Sequence, residues 1–193
     1  MTVKVLCIGG STRPGSSSEK ALRVSAAAAE AAGGEVTMIV SRSLILPIYD
    51  TETAERTEDA AAFVAAVRQA DALIVASPGY HGTMSGMMKN VLDYIEDTNK
   101  DDRVYLDGVA VGCIAVAYGW QATVSTLHNL RQTVHALRGW PTPLGATINA
   151  SGKVFDTDGN VVDESAKFQL EAVARQAVEF ATWRKGALAT TSA

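Results

Sequence analysis

Apolar positions along the chain follow two periods that alternate. Continuous runs at Val3 to Ile8, Glu35 to Val40, Ala72 to Ala76, Val109 to Ala117 and Leu144 to Ile148 are bounded by glycine, proline or polar turns. Such runs suit strands buried on both faces of a parallel sheet. Between them the period lengthens to that of a helix. Ala21, Leu22, Ala26 and Ala29 share one face, as do Phe63, Val64, Val67 and Ala70. Met84, Met87, Met88, Val91, Leu92 and Ile95 form a third stripe, Val124 to Leu137 a fourth and Leu170 to Ala181 a fifth. Strand–helix alternation predicts right-handed crossovers and a doubly wound α/β layer. Five strands and no sixth unit predict the order 2-1-3-4-5, with helices on both faces. One domain over residues 1–185 accounts for all five units, and the small, polar stretch 186–193 reads as a flexible tail.

In this architecture ligands sit beyond the carboxyl ends of the strands, where the winding reverses. That singles out the loops after strands one, three and four. The loop after the first strand, Gly9-Gly10-Ser11-Thr12-Arg13-Pro14-Gly15-Ser16-Ser17-Ser18-Glu19, is dense in hydroxyls and carries one arginine. No GxGxxG is present, and Gly10-x-x-x-x-Gly15-Ser16-Ser17 lacks the lysine of a nucleoside-triphosphate loop. A single phosphate at a helix N-terminus fits better, held by backbone amides, serine hydroxyls and the fork of Arg13. A capping box of Ser16 and Glu19 explains those two residues but not Ser11, Arg13 and Ser18.

The loop after strand three, Ser77-Pro78-Gly79-Tyr80-His81-Gly82-Thr83, combines a strand breaker, two glycines, an aromatic ring and an imidazole. The loop after strand four, Ala117-Tyr118-Gly119-Trp120-Gln121, again sets glycine among large aromatics. Two glycine–aromatic loops beside a phosphate loop point to a planar ring system carrying a phosphate; packing against the domain or a partner chain is the alternative for Tyr118 and Trp120.

Composition narrows the choice of partners. The 17 basic residues are scattered and outnumbered by 21 acidic ones, for a net charge of −4, which disfavours a nucleic-acid surface. No apolar run approaches the ~20 residues of a membrane helix. The N-terminus runs directly into the first strand and reads as no signal peptide. Cys7 and Cys113 lie in apolar segments with no CxxC pair; buried thiols in a reducing cytoplasm, without disulfide or metal, are the expectation. Asp156-Thr157-Asp158-Gly159-Asn160 reads as a hairpin turn, since Val161 stands where a calcium loop needs glycine.

Gly10-Ser11-x-Arg13-x-x-Ser16-x-Ser18, Ser77-Pro78-x-Tyr80-His81-Gly82 and Gly86-x-x-Lys89-Asn90-x-x-Asp93 together resemble the NAD(P)H-dependent FMN reductase family of flavodoxin-like proteins. The resemblance runs from the first strand through the last helix. It departs at Ser18, where the family usually has Asn, and at His81, where Asn is common. It implies FMN as cofactor, with Ser11, Arg13, Ser16, Ser17 and Ser18 on the phosphate. Pro78, Gly79, Tyr80, His81 and Gly82 would line the isoalloxazine, and Gly119 and Trp120 would close its pyrimidine end. It implies hydride transfer from NADPH or NADH to flavin N5, without a dedicated acid–base residue; His81 is a candidate donor to N5. Lys89, Asn90 and Asp93 read as structural or interfacial.

A homodimer or homotetramer follows from the same resemblance, and Leu130-Arg131-Gln132 resembles a segment used between subunits. Reduced FMN would be released, for instance to a flavin-dependent monooxygenase, or retained to reduce a quinone or azo compound. A flavodoxin-type electron carrier is the rival from another class, disfavoured by the Ser/Arg first loop and modest charge, and an empty regulatory α/β domain is a third. The segment Ser41 to Asp50 reads either as a wall of the substrate entrance, with Arg42 a candidate phosphate partner, or as apolar contact to a second subunit.

Overall fold

The computed structural model describes residues 2–191. Strand β1 (Val3–Gly9) lies inside the sheet, paired in parallel with β2 (Gly34–Val40) at the edge and with the central strand β3 (Ala72–Tyr80). Strand β5 (Ala110–Ala117) pairs in parallel with β3. The short β4 (Thr83–Met84) folds back on β3, and β6 (Trp140–Pro141) and β7 (Ala146–Asn149) both pair with β5. With β4 set aside and β6 and β7 taken as one interrupted strand, the order β2-β1-β3-β5-β6/β7 is the expected order of five main strands, 2-1-3-4-5.

Strand alternation divides the core into two layers. Val3, Val5 and Cys7 face helices α1 (Ser17–Ala31) and α5 (Glu164–Thr191). Leu6 and Ile8 face the other layer, built on α2 (Glu58–Gln69), α3 (Gly86–Asp93) and α4 (Trp120–Ala136). Thr57 and Ser85 cap α2 and α3 by accepting from the amides of Ala60 and Met88. Burial pushes both thiols, Cys7 and Cys113, up to about 12, and neither is in a disulfide.

The structure differs from the expectation in four places. Strand three does not stop at Pro78 but continues to Tyr80. The Ala76 carbonyl accepts from the Gly10 amide, so Ala76, and Pro78 two residues on, point their backbone toward the β1 side. There β1 has already ended at Gly9, and a missing N–H costs no ladder bond. Strand five begins early and is broken. Trp140 and Thr142 donate to the carbonyls of Val109 and Val111, but Leu144, next in the alternation, donates to Gln176 Oε1 instead. The chain is also pinched at Gly145, where an added Cβ would lie 2.6 Å from Leu127.

The helix placed at 170–181 starts at Glu164 and runs on through Gly186 to Thr191, past the boundary expected for a tail. Leu130 is fully buried in the second layer and Arg131, half-buried, donates to the Thr142 carbonyl, so Gln132 and part of Arg131 are what that trio presents to the surface. The 153–162 segment is the expected hairpin: Phe155 bridges Val161, and Asp156 accepts from the Asn160 amide at 2.8 Å and from its side chain at 3.0 Å. Among the described residues no group of three or more potential ligands could hold a metal, and no helix is long and apolar enough to cross a membrane.

Candidate active site

Parallel packing brings the ends of β1, β3 and β5 to one rim. Gly9 makes the tightest approach: a Cβ there would sit 2.3 Å from the Ala76 carbonyl oxygen, and its φ is +152°. Gly10 follows at φ +103°. Only residues without a side chain let the chain leave β1 this close to β3.

The loop that follows is braced internally. Ser11 Oγ accepts from the Arg13 amide at 3.2 Å. Ser16 is the N-cap of α1; its Oγ accepts from the Glu19 amide at 3.3 Å and lies 3.2 Å from Ser18 Oγ. The amides of Ser17 and Ser18, first in the helix, have no intrahelical acceptor. The Arg13 guanidinium makes no ion pair among the described residues. Half of the capping box is therefore present, but Glu19 does not complete it. Its Oε2 accepts from the Gly15 amide at 3.0 Å and from Ser41 Oγ at 2.6 Å. Its Oε1 takes the Arg23 fork at 3.1 and 2.7 Å. Burial pushes this carboxyl up, yet the bonds from Ser41, Arg23 and Gly15 outweigh it and hold the group below its usual range.

A cleft of about 400 Å³ opens between this loop and the ends of β3 and β5. Ser11, Arg13, Ser16, Ser17 and Ser18 line one end, and Pro78, Gly79 and Tyr80 one side. Opposite lie Val116, Ala117 and Tyr118, with Thr12 and Ala150 completing the wall. Tyr80 and Tyr118 are exposed, so two rings flank the opening. Gly79 is forced by packing: a Cβ would lie 2.5 Å from Thr126 Oγ1.

Four expected residues are not among its lining. His81 and Gly82, with φ of +51° and +90°, are the two central residues of the hairpin joining β3 to β4. Positive φ at both positions is the signature of a type I′ turn, which Asn-Gly favours and His tolerates. Gly119 turns the chain into α4 at φ +101°, its amide fixed by Asn149 Oδ1 at 2.8 Å. Trp120, next along, borders a neighbouring hollow with Asn149 and Lys153. Tyr118 occupies the cleft in place of Gly119 and Trp120. Its loop was visible in the sequence; which of its two exposed aromatics borders the cleft depends on the path of the chain through Gly119, at φ +101°. Ala150 was missed because it reaches the rim only through the parallel register that sets Asn149 beside Ala117.

Lys89 and Asp93 form an exposed i,i+4 ion pair. Asn90 is a clamp: it donates to the carbonyls of Leu46 and Pro47 and accepts from the Tyr49 amide. Leu44 and Leu46 are buried in the second core layer, whereas Ile45 and Ile48 are exposed.

The sheet order and the position of the cleft define a flavodoxin-like α/β protein whose cleft sets a serine- and arginine-bearing loop beside two exposed tyrosines. The model of the NADPH-dependent FMN reductase family matches residues 3–152, and the chain belongs to that family. It is an NAD(P)H:FMN oxidoreductase, with FMN as its flavin and NAD(P)H as electron donor. The matched stretch ends after β7, short of the last helix. An NAD(P)H-dependent FMN reductase of Pseudomonas aeruginosa is 28% identical over 172 residues, covering 86% of this chain and 88% of that protein. An FMN-dependent NADPH-azoreductase of Staphylococcus aureus is 34% identical over 103 residues, 53% of this chain and 51% of that one. In structure, the flavoenzyme FerB of Paracoccus denitrificans, an NAD(P)H:acceptor oxidoreductase, superimposes with a TM-score of 0.75 at 20% identity, covering 94% of this chain and 98% of its own.

Proposed function

We propose that FMN is held in this cleft, with Ser11, Arg13, Ser16, Ser17 and Ser18 on its phosphate and Pro78, Gly79, Tyr80 and Tyr118 beside its ring system. When bound, the flavin supplies a hydride-accepting ring. The protein supplies placement. Arg13 brings a permanent charge and a bidentate fork, and the first amides of α1 add donors and the positive end of the helix dipole. The tyrosines flank the opening and limit access of water. No carboxylate, histidine or lysine lines the cleft, so no side chain there is assigned a proton-transfer step, and the chemistry rests on orientation. In this reading His81 and Gly82 act through the turn they form, not through an imidazole contact.

The observation that carries the reading is an ion-pair-free arginine and three serines at a helix N-terminus, in one cleft with two exposed tyrosines. Arg13→Ala tests it. A charge-assisted hydrogen bond contributes about 1.5–3 kcal/mol, roughly ten- to a hundredfold in affinity. Calorimetry is expected to show that loss for FMN and little change for riboflavin, which lacks the phosphate; equal loss for both would overturn the phosphate assignment.

The finer reading is that reduced flavin is released to a consumer such as a monooxygenase, or is kept to reduce a second acceptor. The name of the azoreductase relative supports the second branch. Assembly as a homodimer or homotetramer is supported by exposed Ile48, Trp120 and Val124. A cytoplasmic location is supported by the two free, buried thiols.

A further inference from the structure

We propose that Glu19 is the positioning residue of the phosphate cradle, an inner anion around which the loop 10–15 is wrapped so that its outer face can take a second, exchangeable anion. This rests on the reading that the cleft holds a flavin phosphate. The Glu19 side chain is only 6% exposed, and a carboxylate so placed persists only where its lone pairs are met. They are met by three separate segments. The loop gives the Gly15 amide, α1 gives Arg23 one turn on, and the turn after β2 gives Ser41 Oγ. Ser41 itself stands at φ +54°, a conformation disfavoured for a residue with a side chain. At the other end of the loop, a Cβ on Gly10 would meet Glu19 Cβ at 3.4 Å and Ser41 N at 3.7 Å. Gly10 and Gly15 therefore both lie against Glu19, with Ser11 to Pro14 strung between them.

Two consequences decide the test. The Gly15 amide is already committed to Glu19, so it holds the loop's shape instead of serving the ligand. The contribution of Glu19 is thus geometric: it sets where Arg13 and the Ser16–Ser18 end stand relative to each other. Its charge is matched locally by Arg23, whose side chain is 57% exposed. A glutamine can keep an acceptor oxygen toward Gly15 and Ser41 while Arg23 turns to solvent. An alanine leaves the Gly15 amide and the Ser41 hydroxyl without this partner.

FMN and riboflavin affinities, measured by quenching of flavin fluorescence on Glu19→Gln, Glu19→Ala and Ser41→Ala, separate the possibilities. The expected result is a tenfold or greater loss of FMN affinity in Glu19→Ala and about threefold in Ser41→Ala, with riboflavin within twofold of the parent in both. Glu19→Gln is expected to stay within threefold of the parent for FMN. The proposal is overturned if Glu19→Ala binds FMN like the parent, if both flavins lose equally, or if Glu19→Gln falls as far as Glu19→Ala. Should Glu19→Ala fail to fold, Ser41→Ala decides by the same FMN-specific criterion. Failure of the underlying reading looks different: the parent protein itself would then show no preference for FMN over riboflavin.

Discussion

At His81 the backbone turns through φ +51°, a left-handed region that costs a non-glycine residue about 1–2 kcal/mol. Asn, Asp and His enter it more readily than others because a short polar side chain can bond locally. The residue that reads in the sequence as a chemical group beside the flavin is accounted for by a dihedral angle. His81→Asn is expected to leave folding stability and FMN affinity unchanged, whereas His81→Val is expected to lower stability by roughly 1–2 kcal/mol. Urea unfolding of both variants checks this. A loss of flavin affinity or a changed pH profile in a fully stable His81→Asn protein would restore a role to the imidazole. The serine–arginine loop behaved differently. Its residues are near neighbours in one short loop, so sequence position sufficed to bring Ser11, Arg13 and Ser16–Ser18 to one cleft. The choice between Tyr118 and Trp120 needed the Gly119 angle, which no sequence pattern prints.

Strands and helices were legible because their burial is periodic. What escaped was decided by neighbours. Pro78 looked like a terminator, yet whether a proline breaks a strand depends on which side of it still has a partner. The division of strand five into β6 and β7 turns on Gln176, more than thirty residues away, capturing one amide. Helix α3 shows how an element can pin a neighbouring segment from a distance. Asn90 ties the 46–49 segment to that helix through three hydrogen bonds, and Tyr94 adds a fourth from its hydroxyl to Pro47. Further anchors are the buried Leu46, the Tyr49 hydroxyl donating to Asp97 and the Tyr49–Tyr94 edge contact with Arg56 above both rings. Asn90→Ala is expected to cost about 1–3 kcal/mol and to make the amides of Leu46, Ile48 and Tyr49 exchange faster, read by thermal unfolding and hydrogen exchange. Flavin affinity should change little, since no residue of α3 lines the cleft.

For the molecule as a whole, several carboxylates are held below their ordinary range. In Asp97 the Arg56 fork, at 2.7 and 2.8 Å, dominates over the upward push of burial. In Glu19 burial is the largest single influence but is outweighed by its donors. A depressed folded-state value means that the group's stabilisation is complete above its unfolded value, near ~4. It is lost as pH falls through the folded value. The urea midpoint is therefore expected to be flat from pH 7 to about 5 with respect to these groups and to fall below about pH 4. Asp97→Asn should lower the midpoint at neutral pH and flatten the acid limb. An acid limb as steep as the parent's would show that Asp97 is not one of the groups responsible.

The contact between Gly9 and the Ala76 carbonyl carries one more consequence. The serine–arginine loop leaves β1 and Tyr80 ends β3, and at the rim a single hydrogen atom on Gly9 stands where a methyl would meet the Ala76 carbonyl. In the proposed binding mode the distance from the anion end to the ring end would thereby be gauged by the sheet itself, not by the loops. A methyl at this point, Gly9→Ala, would push the two ends apart while leaving every contacting side chain in place. Such a protein is expected to retain weak binding of phosphate alone and of riboflavin alone, yet to lose the advantage of having both joined in one molecule. Comparing the three affinities in Gly9→Ala and parent would show whether the rim works as a ruler for ligand length.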